Sequence, residues 1–133
     1  MKAFLSIKFH HDNRNKARIE EISSALTESG LNTFCIVRDL EKWGAVTFTP
    51  THLMQETFKA INLCDVVVVD LTEKGVGLGI EAGYAHAKGI PIITIAQKGS
   101  DVSATLQGIS QQVILYNQFD ELTQVRIPHE RID

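Results

Sequence analysis

Apolar runs and helical stripes alternate along this chain. Residues 1–7 (MKAFLSI) are short and mostly apolar, the pattern of a buried first strand. From 13 to 29, Ile19, Ile22 and Leu26 recur at helical spacing, with Arg14, Lys16, Glu20 and Glu21 largely on the other face. This predicts a helix with Asp12 or Asn13 as its N-cap and Gly30 just beyond its end. Residues 31–37 (LNTFCIV) read as a second strand. The stretch 38–49 has no clean period and reads as a long connection of the kind used for lids and binding loops. Thr49 caps a helix opening at Pro50, with Leu53, Met54, Phe58 and Ile61 as its buried stripe and His52, Gln55, Glu56 and Lys59 on its polar face. The run 65–70 (DVVVVD) suits a parallel strand covered on both faces. A helix follows over 79–88, with Ile80, Gly83, Tyr84 and Ala87 on its packed face and Gly89 at its end. Residues 91–96 form a fourth strand, 103–110 a short helix, 113–116 a fifth strand and 118–123 a short helix. The polar stretch 124–133 is expected on the surface or against a neighbouring subunit.

This order predicts one α/β domain over 1–133. Its core is a doubly wound parallel sheet of about five strands, flavodoxin-like or Rossmann-like, in three αβα layers. In such a sheet the C-terminal ends of all strands lie on one edge. That edge collects Lys8, His10, His11, Arg38, Asp39, Asp70, Thr72, the Gly75/Gly77/Gly79 segment, Gln97 and Lys98, and a ligand site is expected there.

Composition narrows the ligand. The 133 residues are 44% hydrophobic and 22% charged, as in an ordinary globular domain. A net charge of −3 gives no reason to expect nucleic acid or an anionic membrane as partner, although one phosphate could still find a local basic pocket. No apolar run approaches the roughly 20 residues of a membrane span, and the chain enters a strand pattern without a signal peptide, so a cytoplasmic location is expected. Cys35 and Cys64 sit beside apolar segments, too few and too far apart for a zinc site, and read as reduced, half-buried thiols. No metal is expected.

The candidate chemistry centres on the segment after the third strand. Gly-x-Gly-x-Gly lacks the dinucleotide spacing, and no Gly-x-x-x-x-Gly-Lys-Ser/Thr occurs. Gly75, Gly77 and Gly79 either let backbone N–H groups approach a sugar or phosphate at a helix N-terminus, or only make a tight turn. Glu81 is either a first-turn carboxylate complementing the helix dipole or a carboxylate held ionised by that dipole and the loop amides, ready to attack an anomeric carbon. Asp70 could bind sugar hydroxyls or simply end its strand. Trp43 could stack on a base or cover core as a lid residue. His10 and His52 could protonate a leaving base or be surface histidines. Tyr84 reads as structural.

The stretch from Asp65-Val-Val-Val-Val-Asp70-Leu-Thr through Gly77-Leu-Gly79-Ile-Glu81-Ala-Gly83-Tyr84-Ala resembles the nucleoside 2-deoxyribosyltransferase superfamily, which includes the 2′-deoxynucleoside 5′-phosphate N-hydrolases. Asp12-Asn-Arg-Asn-Lys-Ala17 and Val102-Ser103-Ala104-Thr-Leu-Gln-Gly108 are similar to further segments, so the resemblance covers nearly the whole chain. It implies an enzyme that cleaves or transfers the N-glycosidic bond of a nucleoside or nucleoside 5′-monophosphate through a glycosyl–Glu81 intermediate, without a cofactor. It also implies a homodimer or larger assembly in which the glycine segment and Ser103, the latter from a partner subunit, meet the substrate's 5′ end. Ser103 with Lys8 nearby would suit a 5′-phosphate. Aligned with the family, Phe4 stands where a tyrosine usually bonds the nucleophile, and Thr57 stands where an aspartate is usual. Glu56, beside Thr57, would point about 100° away on a helix. These two positions support an alternative: a nucleotide-binding sensor or regulatory module with impaired catalysis.

Overall fold

A computed structural model describes residues 1–126. Five strands form one sheet in the order β2-β1-β3-β4-β5, with every neighbouring pair parallel. The strands are β1 (Lys2–Ser6), β2 (Asn32–Phe34), β3 (Val66–Asp70), β4 (Ile92–Gln97) and β5 (Gln112–Tyr116). Helices α1 (Lys16–Glu28), α2 (Pro50–Asn62), α3 (Val76–Ala87) and α4 (Ala104–Ile109) cover its two faces. Among the described residues, no helix is long and apolar enough to cross a membrane.

The two faces follow from the two-residue period of a strand. Ala3, Leu5, Val66, Val68, Ile93 and Ile95 point to one side, where Ile19, Ile22 and Leu26 of α1 pack on them. Phe4, Val67, Val69, Ile92 and Ala96 point to the other, against Ile61 of α2, Leu78, Ala82 and Ala85 of α3 and Leu106 of α4. Every residue of β3 is buried, so its unbroken apolar run serves both layers. Each fully buried aliphatic side chain of this kind stabilises by about 1.5–3 kcal/mol.

Several local boundaries differ from the expected ones. Helix α1 starts at Lys16, because Asn13 takes a left-handed backbone (φ 55°) that cannot continue a helix. Neither Asp12 nor Asn13 is the cap. The Asp12 carboxylate accepts from the Arg14 backbone N–H and Nε, each at 3.1 Å. Asn15 holds the N-cap position, but its Nδ2 donates to the Lys8 carbonyl (2.8 Å) instead of closing the helix. At the other end Gly30 (φ 98°) does follow the last turn. Thr49 does cap α2, accepting from the His52 N–H at 3.2 Å.

Strand β2 is shorter than expected. The chain turns after Phe34 into a wide helical turn over Ile36–Leu40 and a 3-10 turn over Lys42–Gly44. The Asp39 carboxylate causes this. It accepts from the Cys35 N–H (2.8 Å) and from Arg38 Nη2 (2.8 Å), while Arg38 also reaches Ser23 Oγ (2.8 Å) and the Thr33 carbonyl (2.9 Å).

Helix α3 begins three residues earlier than expected, with Gly75 as its N-cap. Its packed face is also turned from the expected one. Leu78, Ala82 and Ala85 are buried, whereas Ile80 is 46% exposed and Gly83 and Ala87 are exposed. Tyr84 is half-buried and links α3 to α2, stacked on Phe58 (4.3 Å between ring centres) and accepting from Asn62 Nδ2 at 2.6 Å. Ser103 caps α4 by accepting from the Thr105 N–H at 3.3 Å. Of the stretch 124–133, Val125 is buried and Gln112 Nε2 donates to the Arg126 carbonyl (2.7 Å). The remainder lies outside the described residues. Cys35 and Cys64 are free and buried, and burial pushes their thiols up to about 12 and about 11.

Candidate active site

Strand β1 lies between β2 and β3, so its C-terminal end is flanked by the segment leaving β2 and by the helix that follows β3. Between them opens a cavity of about 380 Å³. Its walls are the end of β1 (Phe4, Ile7, Lys8, Phe9), the segment Cys35–Val37 with Glu41, the inner face of α2 (Leu53, Met54, Thr57) and the start of α3 (Gly75 to Leu78, and Glu81). A cavity of this size, largely apolar and with a few convergent polar groups, suits a small organic ligand.

Glu81 is the sixth residue of α3, one turn deeper than expected. Helical side chains lean back toward the N-terminus, which carries this carboxylate across to β1. There Ser6 Oγ donates to Glu81 Oε1 at 2.5 Å. The residue opens onto the cavity but its carboxylate is otherwise ringed by protein. Burial therefore dominates and pushes it up to about 7, against the opposing effect of the Ser6 hydrogen bond. The expectation that dipole and loop amides hold it ionised is thus corrected. Among the described residues no backbone N–H bonds this carboxylate, and the helix end lies a turn away.

Lys8 stands at the other side of the α3 start. Its Nζ donates to the Lys74 carbonyl at 3.0 Å, and its stem runs past Gly75, 3.9 Å from where a Cβ there would be. An ammonium group and the first amides of a twelve-residue helix therefore border one corner of the cavity. That combination favours an anion. Gly75 and Gly77 line this corner. Gly75 is extended (φ −165°), a conformation open to any residue, and a Cβ on Gly77 would meet nothing within 4 Å. What their small size provides is access to the amides, not relief of strain.

The other expected site residues lie elsewhere. Gly79 is exposed and not on the cavity wall. Asp70 points to the opposite side of the sheet. It accepts from the Thr72 N–H (3.0 Å) and Oγ1 (2.6 Å), with the Tyr116 hydroxyl at 3.5 Å and Arg18 Nη1 at 3.8 Å. Trp43 packs on the core of the α1 side, with Lys16 Nζ 4.8 Å from its ring centre. His10 pairs with Glu73 at 3.0 Å and His52 with Glu56 at 3.5 Å, neither on the cavity wall. Ser103, expected to act from a partner subunit, caps α4 in its own chain. Among the described residues, no cluster of three or more metal-ligating side chains occurs.

No family model matches the chain. It is 26% identical over 131 residues to a Thermofilum pendens protein provisionally named 2′-deoxynucleoside 5′-phosphate N-hydrolase 1, covering 91% of this chain and 89% of that one. Among solved structures it resembles the Clostridium botulinum CMP N-glycosidase, at 25% identity and a TM-score of 0.63, over 93% of this chain and 96% of that one. A 2-deoxyribosyltransferase from Bacillus psychrosaccharolyticus shares the fold over 99% of both chains, with a TM-score of 0.75 at 11% identity. In sequence and in fold the chain is similar to proteins of the nucleoside 2-deoxyribosyltransferase superfamily.

The two positions that depart from the family's pattern, Phe4 and Thr57, acquire a physical context. Phe4 lies on the cavity floor with no polar atom to offer Glu81, but Ser6, two residues on and therefore on the same face of β1, supplies the hydroxyl. The period of two made Ser6 findable in the sequence as a polar residue in an apolar strand. Its partner, 75 positions away, was not. Thr57 faces the cavity, but its hydroxyl donates to the Leu53 carbonyl at 2.8 Å. Glu56 is turned outward and paired with His52 and Lys59. Glu41 is the second cavity carboxyl that sequence reasoning missed, because the 38–49 stretch has no period to orient it.

Proposed function

We propose that this protein is a hydrolase of nucleoside 5′-monophosphates that cleaves their N-glycosidic bond through a glycosyl–Glu81 intermediate. The observation that carries this reading is the Glu81 carboxylate, hydrogen-bonded by Ser6 and facing a cavity whose far corner holds Lys8 and the α3 amides. With the phosphate in that corner and the sugar over Glu81, the base would lie among Phe9, Ile36, Val37 and Met54. The Glu81 carboxylate attacks C1′, an ester bond forms, and the C1′–N bond breaks with its electron pair going to the base. Water then attacks C1′ and frees the carboxylate, leaving a sugar 5-phosphate. The names carried by the Thermofilum and Clostridium relatives, one a 5′-phosphate N-hydrolase and the other an N-glycosidase of CMP, support hydrolysis of monophosphates.

We also infer a homo-oligomer in which Ser103 of a second copy approaches the phosphate corner. The exposed side of α3 supports self-association: Val76 is 83% exposed and Ile80 46%, next to exposed Gly79 and Gly83.

The bonded state of the Thr57 hydroxyl favours a second reading, a nucleotide-binding module without turnover. One experiment separates the two. The protein is incubated with ribo- and deoxynucleosides and their 5′-monophosphates, and released base is measured by chromatography. Release from monophosphates that is lost in Glu81→Gln supports the hydrolase. No release at high protein concentration, with a melting temperature raised by monophosphates, supports the binding module.

A further inference from the structure

Breaking a glycosidic bond leaves an electron pair on the base, and an unprotonated base is a poor leaving group. Of the side chains on the cavity wall, few can carry that proton. Thr57 spends its hydroxyl on the Leu53 carbonyl. Cys35 is pushed up to about 12, too weak an acid. Lys8 is tied to the α3 start, at the corner assigned to phosphate. Glu81 is needed as the nucleophile. Among the described residues, the wall group left is Glu41.

Topology sets Glu41 opposite Glu81. It enters from the segment after β2 and Glu81 from the helix after β3, on either side of β1. Its main chain is pinned: its N–H donates to the Ile36 carbonyl (2.9 Å) and its carbonyl accepts from Gly44 (2.9 Å) and Val46 (3.0 Å). The two residues after it, Lys42 (φ 51°) and Trp43 (φ 58°), are both left-handed, a strained pair held by the Asn13 Nδ2 bond to the Trp43 carbonyl (3.0 Å). The neighbouring acid, Asp39, is consumed by Arg38 and the Cys35 N–H, whereas no hydrogen bond or ion pair engages the Glu41 side chain among the described residues. Burial alone raises its pKa, which favours a carboxyl that keeps its proton.

Building on the proposed hydrolase function, we propose that Glu41 is the general acid for the departing base and the general base for the water that follows. In the first step its proton moves to the base nitrogen as the C1′–N bond breaks. In the second, its carboxylate takes a proton from water as the oxygen bonds to C1′ and the Glu81 ester is released. Glu41 returns to its protonated form, and the sum is one water consumed per bond cleaved.

The test compares leaving groups. Steady-state kcat/KM is measured for the unaltered protein and Glu41→Gln with GMP and N7-methyl-GMP, whose base leaves without a proton, and with UMP and 5-fluoro-UMP, whose base is the better leaving group. The proposal expects Glu41→Gln to lower kcat/KM for the unactivated member of each accepted pair by about 100-fold or more, the usual scale of acid catalysis, and for the activated member by far less. It also expects the basic limb of the pH–rate profile to disappear. An equal loss for both members, at unchanged pH profile, marks Glu41 as a binding or structural residue and overturns the proposal, as does no loss at all. Absence of release by the unaltered protein from every ribo- and deoxynucleoside 5′-monophosphate overturns the hydrolase reading itself, and the role of Glu41 with it.

Discussion

The Ser6–Glu81 hydrogen bond decides how the candidate nucleophile behaves. Burial raises the Glu81 pKa from 4.5 to about 7, and Ser6 keeps it from rising further. Because only the carboxylate attacks, activity toward an activated substrate, whose base leaves without a proton, is expected to climb with pH through about 7. A hydrogen bond to a charged group is worth about 1.5–3 kcal/mol, so Ser6→Ala should move that limb up by roughly one to two pH units and lower kcat/KM at pH 7 about tenfold. The loss should shrink above pH 9, and a pH–rate profile checks both. The same shift makes a stability statement. A carboxyl with a raised native pKa contributes stability that is full below its unfolded value of 4.5 and lost as pH rises through about 7. Glu81→Gln should therefore melt higher than the unaltered protein at pH 8, by up to about 3 kcal/mol, with the advantage vanishing near pH 4; thermal melts at both pH values test it. The sequence made Glu81 visible through its motif. It could not reveal that the carboxylate lies beyond the first helical turn, which reverses the expected direction of its pKa.

At the scale of elements, alternation did most of the work. All five strands and the four helices were legible because a covered parallel sheet demands unbroken apolar strands and one-sided helices. The misplaced boundaries have local electrostatic or conformational causes. Asn13 turns left-handed, Asp39 folds the chain after β2 onto Arg38, and Gly75 caps α3 although glycines inside a helix cost about 1 kcal/mol each relative to alanine. Asp70 was placed on the right edge of the sheet but on the wrong side of it for the cavity: its neighbours Val67 and Val69 face α3, so Asp70 faces α1. There it ties β3 to β5 and α1 through Thr72, Tyr116 and Arg18. Burial raises its pKa while Thr72 and Arg18 oppose the rise. Asp70→Ala should cost about 3 kcal/mol in a denaturant titration by leaving these partners unpaired, yet change kcat/KM less than about threefold.

Among the described residues, α3 carries exposed apolar side chains on its outward side. That side, with Val76 and Ile80 among glycines, belongs to the same helix that carries Glu81. A second copy seated there would place its own residues next to the phosphate corner, which links assembly to substrate binding. Sedimentation should therefore find a species larger than the 14.8 kDa monomer, and Ile80→Glu should shift it toward monomer while raising KM for monophosphates. A monomer of unaltered activity would separate the site from assembly.

Glu81 is expected to supply the oxygen that bonds C1′. The most direct measurement is intact-protein and peptide mass spectrometry of samples quenched in acid during turnover of a nucleoside 5′-monophosphate. The expected result is an adduct of one sugar phosphate on the peptide carrying Glu81, absent in Glu81→Gln. Base release at an unchanged rate by Glu81→Gln, or an adduct on another residue, would contradict it.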